Sequence, residues 1–129
     1  MGRKSSQRPT DAELEILQVL WQRGPSTVKE VHEQLSGGQG VGYTTILKLM
    51  QIMTEKGLVI RDETSRSHVY AAKLPREQTQ RQLVRDLLDR AFGGSARTLI
   101  AQALLAGKAS PEELDEIRRL LDRIGEDKP

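Results

Sequence analysis

Read at helical period, Thr44, Lys48, Gln51 and Glu55 fall in one line, at spacings of four, three and four. That line carries hydroxyl, ammonium, amide and carboxylate groups, side chains able to hydrogen-bond the edges of bases. The opposite line holds Ile46, Met50 and Met53, which reads as a core face. Residues at the start of such a helix reach furthest into a DNA groove, here Tyr43, Thr44, Thr45 and Lys48. Leu47 lies beside the polar line, where it could touch a thymine methyl. An ordinary amphipathic surface helix would show the same division, so the flanking segments must decide.

Other chemistry is poorly supplied. The two histidines, His32 and His68, have no cysteine to complete a metal set, and no metal or cofactor is expected. Without cysteine there is also no disulfide framework and no thiol nucleophile. Ser36–Gly42 contains four glycines in seven residues, but no strand precedes it and the phosphate-loop spacings are missing. It reads as a flexible connection. Glu112 and Glu113 are sequence neighbours, so a helix splays them apart, and no nucleophile elbow occurs; an enzyme is not expected.

The chain has 129 residues, enough for one domain or one small domain with an appendage. Aromatics make up 3%, so the core must be aliphatic. No apolar run approaches the ~18 residues of a membrane span. The basic start, residues 1–9, lacks the apolar segment of a secretory signal and reads as an arm. A cytoplasmic location without membrane association follows as the expectation. The net charge of +2 is carried by residues 1–74, with ten Lys/Arg against eight Asp/Glu; residues 75–129 hold ten of each. Affinity for nucleic acid would therefore depend on local placement of charge.

The elements around the split helix give it a context. Thr10-Asp11-Ala12-Glu13 is a capping box, opening a helix to about Gln22 with Leu14, Leu17 and Trp21 in line and Ile16 and Leu20 beside it. Gly24-Pro25 ends it. Thr27-Val28-Lys29-Glu30 is a second box, opening a short helix to about Leu35 with Val28, Val31 and Leu35 apolar. Gly57 stops the split helix. Leu58–Ile60 and His68–Ala72 read as two strands, with Val59 facing Val69 or a nearby apolar position. The intervening tip carries Arg61, Arg66 and Ser67, suited to phosphate. Short helix, longer helix and terminal hairpin make a winged helix-turn-helix. Such folds also serve as protein–protein interaction modules without DNA binding.

The segments PTDAELEILQVLWQRGPSTVKEVHEQL, GYTTILKLMQIMTEKGLV and SRSHVYAA resemble the penicillinase-repressor family, the BlaI/MecI/CopY type of bacterial regulator. The resemblance covers roughly residues 9–124. It is carried by the Leu-x-x-Leu-Trp helix, the Thr-Val-x-x-Val-x-x-x-Leu helix, the Tyr-Thr-Thr opening and the Lys-Gly-Leu-Val exit. It implies a cytoplasmic homodimer that represses transcription by binding inverted-repeat operators with TACA/TGTA elements in double-stranded DNA. It also places Tyr43, Thr44, Thr45 and Lys48 in the major groove, with Gln51 on the same face, and the wing residues at phosphate. A sensor protease or another inducing factor is the further partner it implies. Where β-lactam-responsive members are cut at an Asn-Phe bond, this chain has a different pair, Gln102-Ala103. The cysteine-rich metal sensor of copper-responsive members is excluded by composition.

The C-terminal part reads as three helices. The first, Arg76 to about Phe92, carries Val84, Leu87 and Leu88. The second, opened by Ser95 and ended by Gly107, carries Leu99, Ile100 and Leu104. Ser110-Pro111-Glu112-Glu113 opens the third, with Leu114, Ile117, Leu121 and Ile124 at three, four and three. So few apolar residues cannot close a core alone. A second copy would cover them in a two-fold dimer matched to palindromic DNA; folding back onto the winged part is the other solution. The expected architecture is mainly α with a small β-hairpin: a winged helix-turn-helix domain, 1–74, then a three-helix dimerisation domain, 75–129.

Overall fold

The computed structural model describes residues 8–36 and 40–127. Six helices and one hairpin follow in the order α1 (Asp11–Arg23), α2 (Val28–Ser36), α3 (Tyr43–Lys56), β1 (Val59–Asp62), β2 (Val69–Ala72), α4 (Arg76–Ala91), α5 (Ala96–Ala106) and α6 (Pro111–Asp127). This is a mainly helical fold whose first five elements form a winged helix. Most of the basic arm expected at residues 1–9 lies outside the described residues, as do positions 37–39 of the glycine connection. The chain divides into two compact units, Met1–Arg81 and Gln82–Pro129, the break falling inside α4.

Local chemistry fixes the helix ends. At α1, Glu13 N donates to Thr10 Oγ1 (3.2 Å) while Thr10 N donates to Glu13 Oε1 (2.9 Å), closing the capping box. The same reciprocal pair joins Thr27 and Glu30 ahead of α2. Ser95 and Ser110 accept from the backbone N–H three residues on and start α5 and α6. α3 ends in a Schellman motif. Gly57 takes the left-handed conformation, φ 81°, and donates to Thr54 O, while Leu58 N donates to Met53 O.

The core of the first unit lies among α1, α2, α3 and the hairpin, built from Ile16, Leu17, Leu20, Val28, Val31, Ile46, Met50, Met53, Val59 and Tyr70. The α3 line Ile46–Met50–Met53 is buried, as its period predicts. On α1 the inward face is rotated from the expected one. Ile16, Leu17 and Leu20 are buried, whereas Leu14 and Trp21 only flank the core. The reason is Glu13, whose buried carboxylate is drawn inward by Lys56 of α3. Trp21 anchors instead through its edge, Nε1 donating to Leu74 O at 3.0 Å, with the Arg76 guanidinium 5.9 Å from its ring centroid.

The hairpin register takes the second of the two expected pairings, with a nearby apolar position opposite Val59. Val59 faces Ala72, not Val69, and Val69 faces Asp62. β1 runs two residues further toward the tip than its apolar run does, because Arg61 and Asp62 also pair. β2 is flanked on its other side by Ser26, which exchanges two backbone hydrogen bonds with Tyr70 (2.9 and 2.8 Å). This clamps the α1–α2 corner to the wing.

In the second unit, no side chain among described residues 82–126 is buried. Its helices leave large apolar groups open, Leu105 most of all at 79% exposure.

Candidate nucleic-acid interface

α3 turns its polar line outward because the opposite line is locked in the core. Thr44, Thr45, Lys48 and Gln51 are all exposed, and Tyr43 stands out at the helix start. Leu47 is half-buried, its side chain packed partly against the core.

Beside this face lies an open cleft of about 310 Å³. α3 lines it with Tyr43 and Leu47, and the wing with Arg66, Ser67 and His68. The N-terminal turn of α2 adds Thr27 and Lys29. Lys29 and Arg66 both line the opening, and none of its described lining residues is acidic. The N-terminus of α2 adds the positive end of its dipole to the same wall. Thr27, Lys29 and His68 were not singled out from sequence. The Thr27 box marks a helix start, but only the Ser26–Tyr70 bridge turns that start toward the wing.

The wing tip is set by short local bonds. Asp62 Oδ1 accepts from Thr64 N at 3.0 Å, which holds its carboxyl below the ordinary value, and Ser65 Oγ donates to Ser67 O at 2.6 Å. Arg66 and Ser67 are exposed there. Arg61 is not at the tip. It sits within β1 opposite Tyr70, its Nε 2.6 Å from Glu63 Oε2. The Tyr70 hydroxyl nearby first, and the negative charge of Glu63 next, hold its guanidinium above the usual value. Counting it as a tip cation missed the two extra strand pairs that carry it away from the turn.

The floor of the α1–α2 corner carries a pH-dependent contribution to stability. Glu30 Oε1 accepts from Thr27 N, and Glu30 Oε2 lies 3.0 Å from Arg23. The Thr27 backbone bond first, and the Arg23 charge second, hold the Glu30 carboxyl below 4.5 in the fold. The folded state thus favours the carboxylate. Its contribution is complete above 4.5 and drains away as pH falls through the lower folded-state value. Urea midpoints followed from about pH 5 to about pH 3 should therefore fall less steeply for Glu30→Gln than for the wild type. Parallel curves would remove Glu30 from the acid response.

Among the described residues no three His, Asp or Glu side chains gather into a metal-binding group, and no helix is long and apolar enough to cross a membrane.

The penicillinase repressor family model matches residues 9–123. The transcriptional regulator BlaI of Mycobacterium tuberculosis is 32% identical over 115 residues, covering 88% of this chain and 83% of the relative. The penicillinase repressor of Bacillus licheniformis is 24% identical over 113 residues, covering 88% of each. A solved structure described as a possible transcriptional regulator for arsenical resistance superposes with a TM-score of 0.48 at 21% identity, covering 70% of this chain and 96% of that one. With its family model spanning nearly the whole sequence, the chain belongs to the penicillinase repressor family, whose members are transcriptional regulators and not enzymes.

Proposed function

We propose that this repressor acts as a homodimer on an inverted-repeat operator. The exposed face of α3 reads bases through Tyr43, Thr44, Thr45, Lys48 and Gln51. Arg66 and Ser67 of the wing meet the phosphate backbone, and Lys29 joins them from across the cleft. Arg61, paired to Glu63, is a lesser contributor. The observation that carries the reading is the exposed polar line of α3 standing beside a cleft walled by cations and free of acids among its described lining residues. Phosphate contacts orient such a protein, and groove contacts give it sequence.

Dimerisation is assigned to the helices beyond the winged part, within the region 75–129. Val84, Leu87, Ile100, Leu104, Leu121 and Ile124 are exposed there, and Leu88, Leu99, Leu114 and Ile117 are half-buried. A second copy supplies the cover that one copy lacks. Relief of repression then calls for an inducing factor acting on the dimer. Gln102 and Ala103 are exposed on α5.

The test is fluorescence anisotropy with a duplex bearing a TACA/TGTA inverted repeat against a scrambled duplex, across salt concentrations. A preference of roughly a thousandfold is expected, with log affinity falling linearly in log salt. Lys48→Ala should cost roughly tenfold to a hundredfold on the repeat and leave thermal unfolding unchanged, since Lys48 is exposed. Absence of binding at low salt would reject DNA as the partner. An unfolded Lys48→Ala protein would contradict the face assignment.

A further inference from the structure

We infer that His32 of α2 is a positioning residue that fixes the start of α3 and the orientation of Tyr43. Four of the other five helices open on a side-chain cap. α1 and α2 each open with a reciprocal capping box, and α5 and α6 each open with a serine cap. α3 has no such device. Its N-cap is Gly42, which offers no side-chain hydrogen bond, and its first turn has no acidic residue. The chain reaches Gly42 through Gly40, at φ 94°, and the exposed Val41, so no apolar packing holds the approach. Left to itself, this helix start would fray.

His32 supplies the missing restraint from outside the helix. Its Nε2 lies 3.1 Å from Val41 O, one residue before the cap. A carbonyl oxygen can only accept, so Nε2 carries the proton in this bond. The same imidazole meets the Tyr43 ring edge-on, with centroids 6.0 Å apart and planes at 83°. One side chain thus holds the residue before the cap and the first residue of the helix. Its own base is rigid, since the adjacent Val31 is fully buried. The consequence for DNA rests on the reading proposed above: Tyr43 lies at the helix start, where side chains reach bases and a small misplacement is costly.

Two readouts test this. Amide hydrogen exchange on the free protein follows Ile46 N–H, which bonds Gly42 O at 3.2 Å, against the amides of Met50 and Met53. In His32→Ala, exchange in the first turn of α3 should accelerate roughly tenfold while the later turns and the urea midpoint hold. His32→Gln, which keeps a donor near Val41 O, should recover most of the protection. Anisotropy on the inverted-repeat and scrambled duplexes is the second readout. His32→Ala should lose roughly tenfold on the repeat, nothing on the scrambled duplex, and keep the salt slope. Unchanged first-turn exchange in His32→Ala would overturn the inference, as would a Gln variant no better than Ala. An equal loss on both duplexes with a shallower salt slope would make His32 a phosphate contact instead. Faster first-turn exchange, with no binding of the wild type to either duplex even at low salt, would sustain the positioning role and reject the DNA reading.

Discussion

Lys56→Met should unfold at markedly lower urea concentration than the wild type, with a loss of ~3 kcal/mol, or on the order of 10 °C in melting temperature. The reason is the group left behind. Glu13 is 3% exposed at its side chain, and its Oε1 accepts from Lys56 Nζ at 2.7 Å and from Thr10 N at 2.9 Å. Methionine fills the space of the lysine stem but removes the charge. The carboxylate then stays buried, with the Thr10 N–H still donating to it. A buried ion stripped of its partner costs far more than the pair was worth. Glu13→Gln in the same background should recover more than half of the loss, because the amide oxygen still accepts from Thr10 N and no charge remains. Glu13→Ala alone should cost less than Lys56→Met, since Lys56 is 18% exposed and its ammonium can turn to water. A Lys56→Met protein within about 0.5 kcal/mol of wild type would show that the pair does not hold α1 to α3.

That pair marks where reading by residue spacing ends. Glu13 is legible as the N3 residue of a capping box, because the box is four residues long and purely local. Its second partner is 43 residues away, and no periodicity connects them. The same division runs through the whole chain. The split face of α3, the two boxes and the glycine stops depend on neighbours within a turn or two, and they stand in the structure at the expected positions. The hairpin register depends on which strand residues reach Ser26 and the core, so Val59 meets Ala72 and Arg61 leaves the tip. The cleft beside α3 was not legible at all. Its walls come from three separate elements, and Lys29 joins Arg66 only through the Ser26–Tyr70 bridge. Likewise His32 looks like an isolated surface histidine until the fold sets Val41 and Tyr43 against it. The polar face was visible because it lies on one helix; the surfaces that flank it were not, because they are made by tertiary contact.

Leu121→Asp should convert the protein to monomer at micromolar concentration. On α6, Leu114, Ile117, Leu121 and Ile124 form one apolar line, and Leu121 remains 50% exposed in a single copy. None of the described side chains of residues 82–126 reaches full burial. Covering that line with its own two-fold mate would bury leucine and isoleucine groups worth ~1.5–3 kcal/mol each. Symmetry makes the substitution count twice, placing two carboxylates in one apolar seam. With several kcal/mol lost per unpaired buried charge, the dimer dissociation constant should rise by at least ~10³-fold. Leu121→Met, of similar volume, should leave the constant nearly unchanged. Sedimentation velocity across a concentration series reads both variants. The loss should carry through to DNA. A monomer grips one half of the repeat, so the gain from linking two half-sites disappears and the salt slope falls to roughly half. The winged unit itself should be untouched, because Leu121 lies outside it, and urea unfolding followed by the fluorescence of Trp21 reports that unit. A wild-type-like sedimentation profile for Leu121→Asp would move the interface off this line of α6. A wild type that stays monomeric throughout the series would reject the homodimer, and the inverted-repeat operator with it.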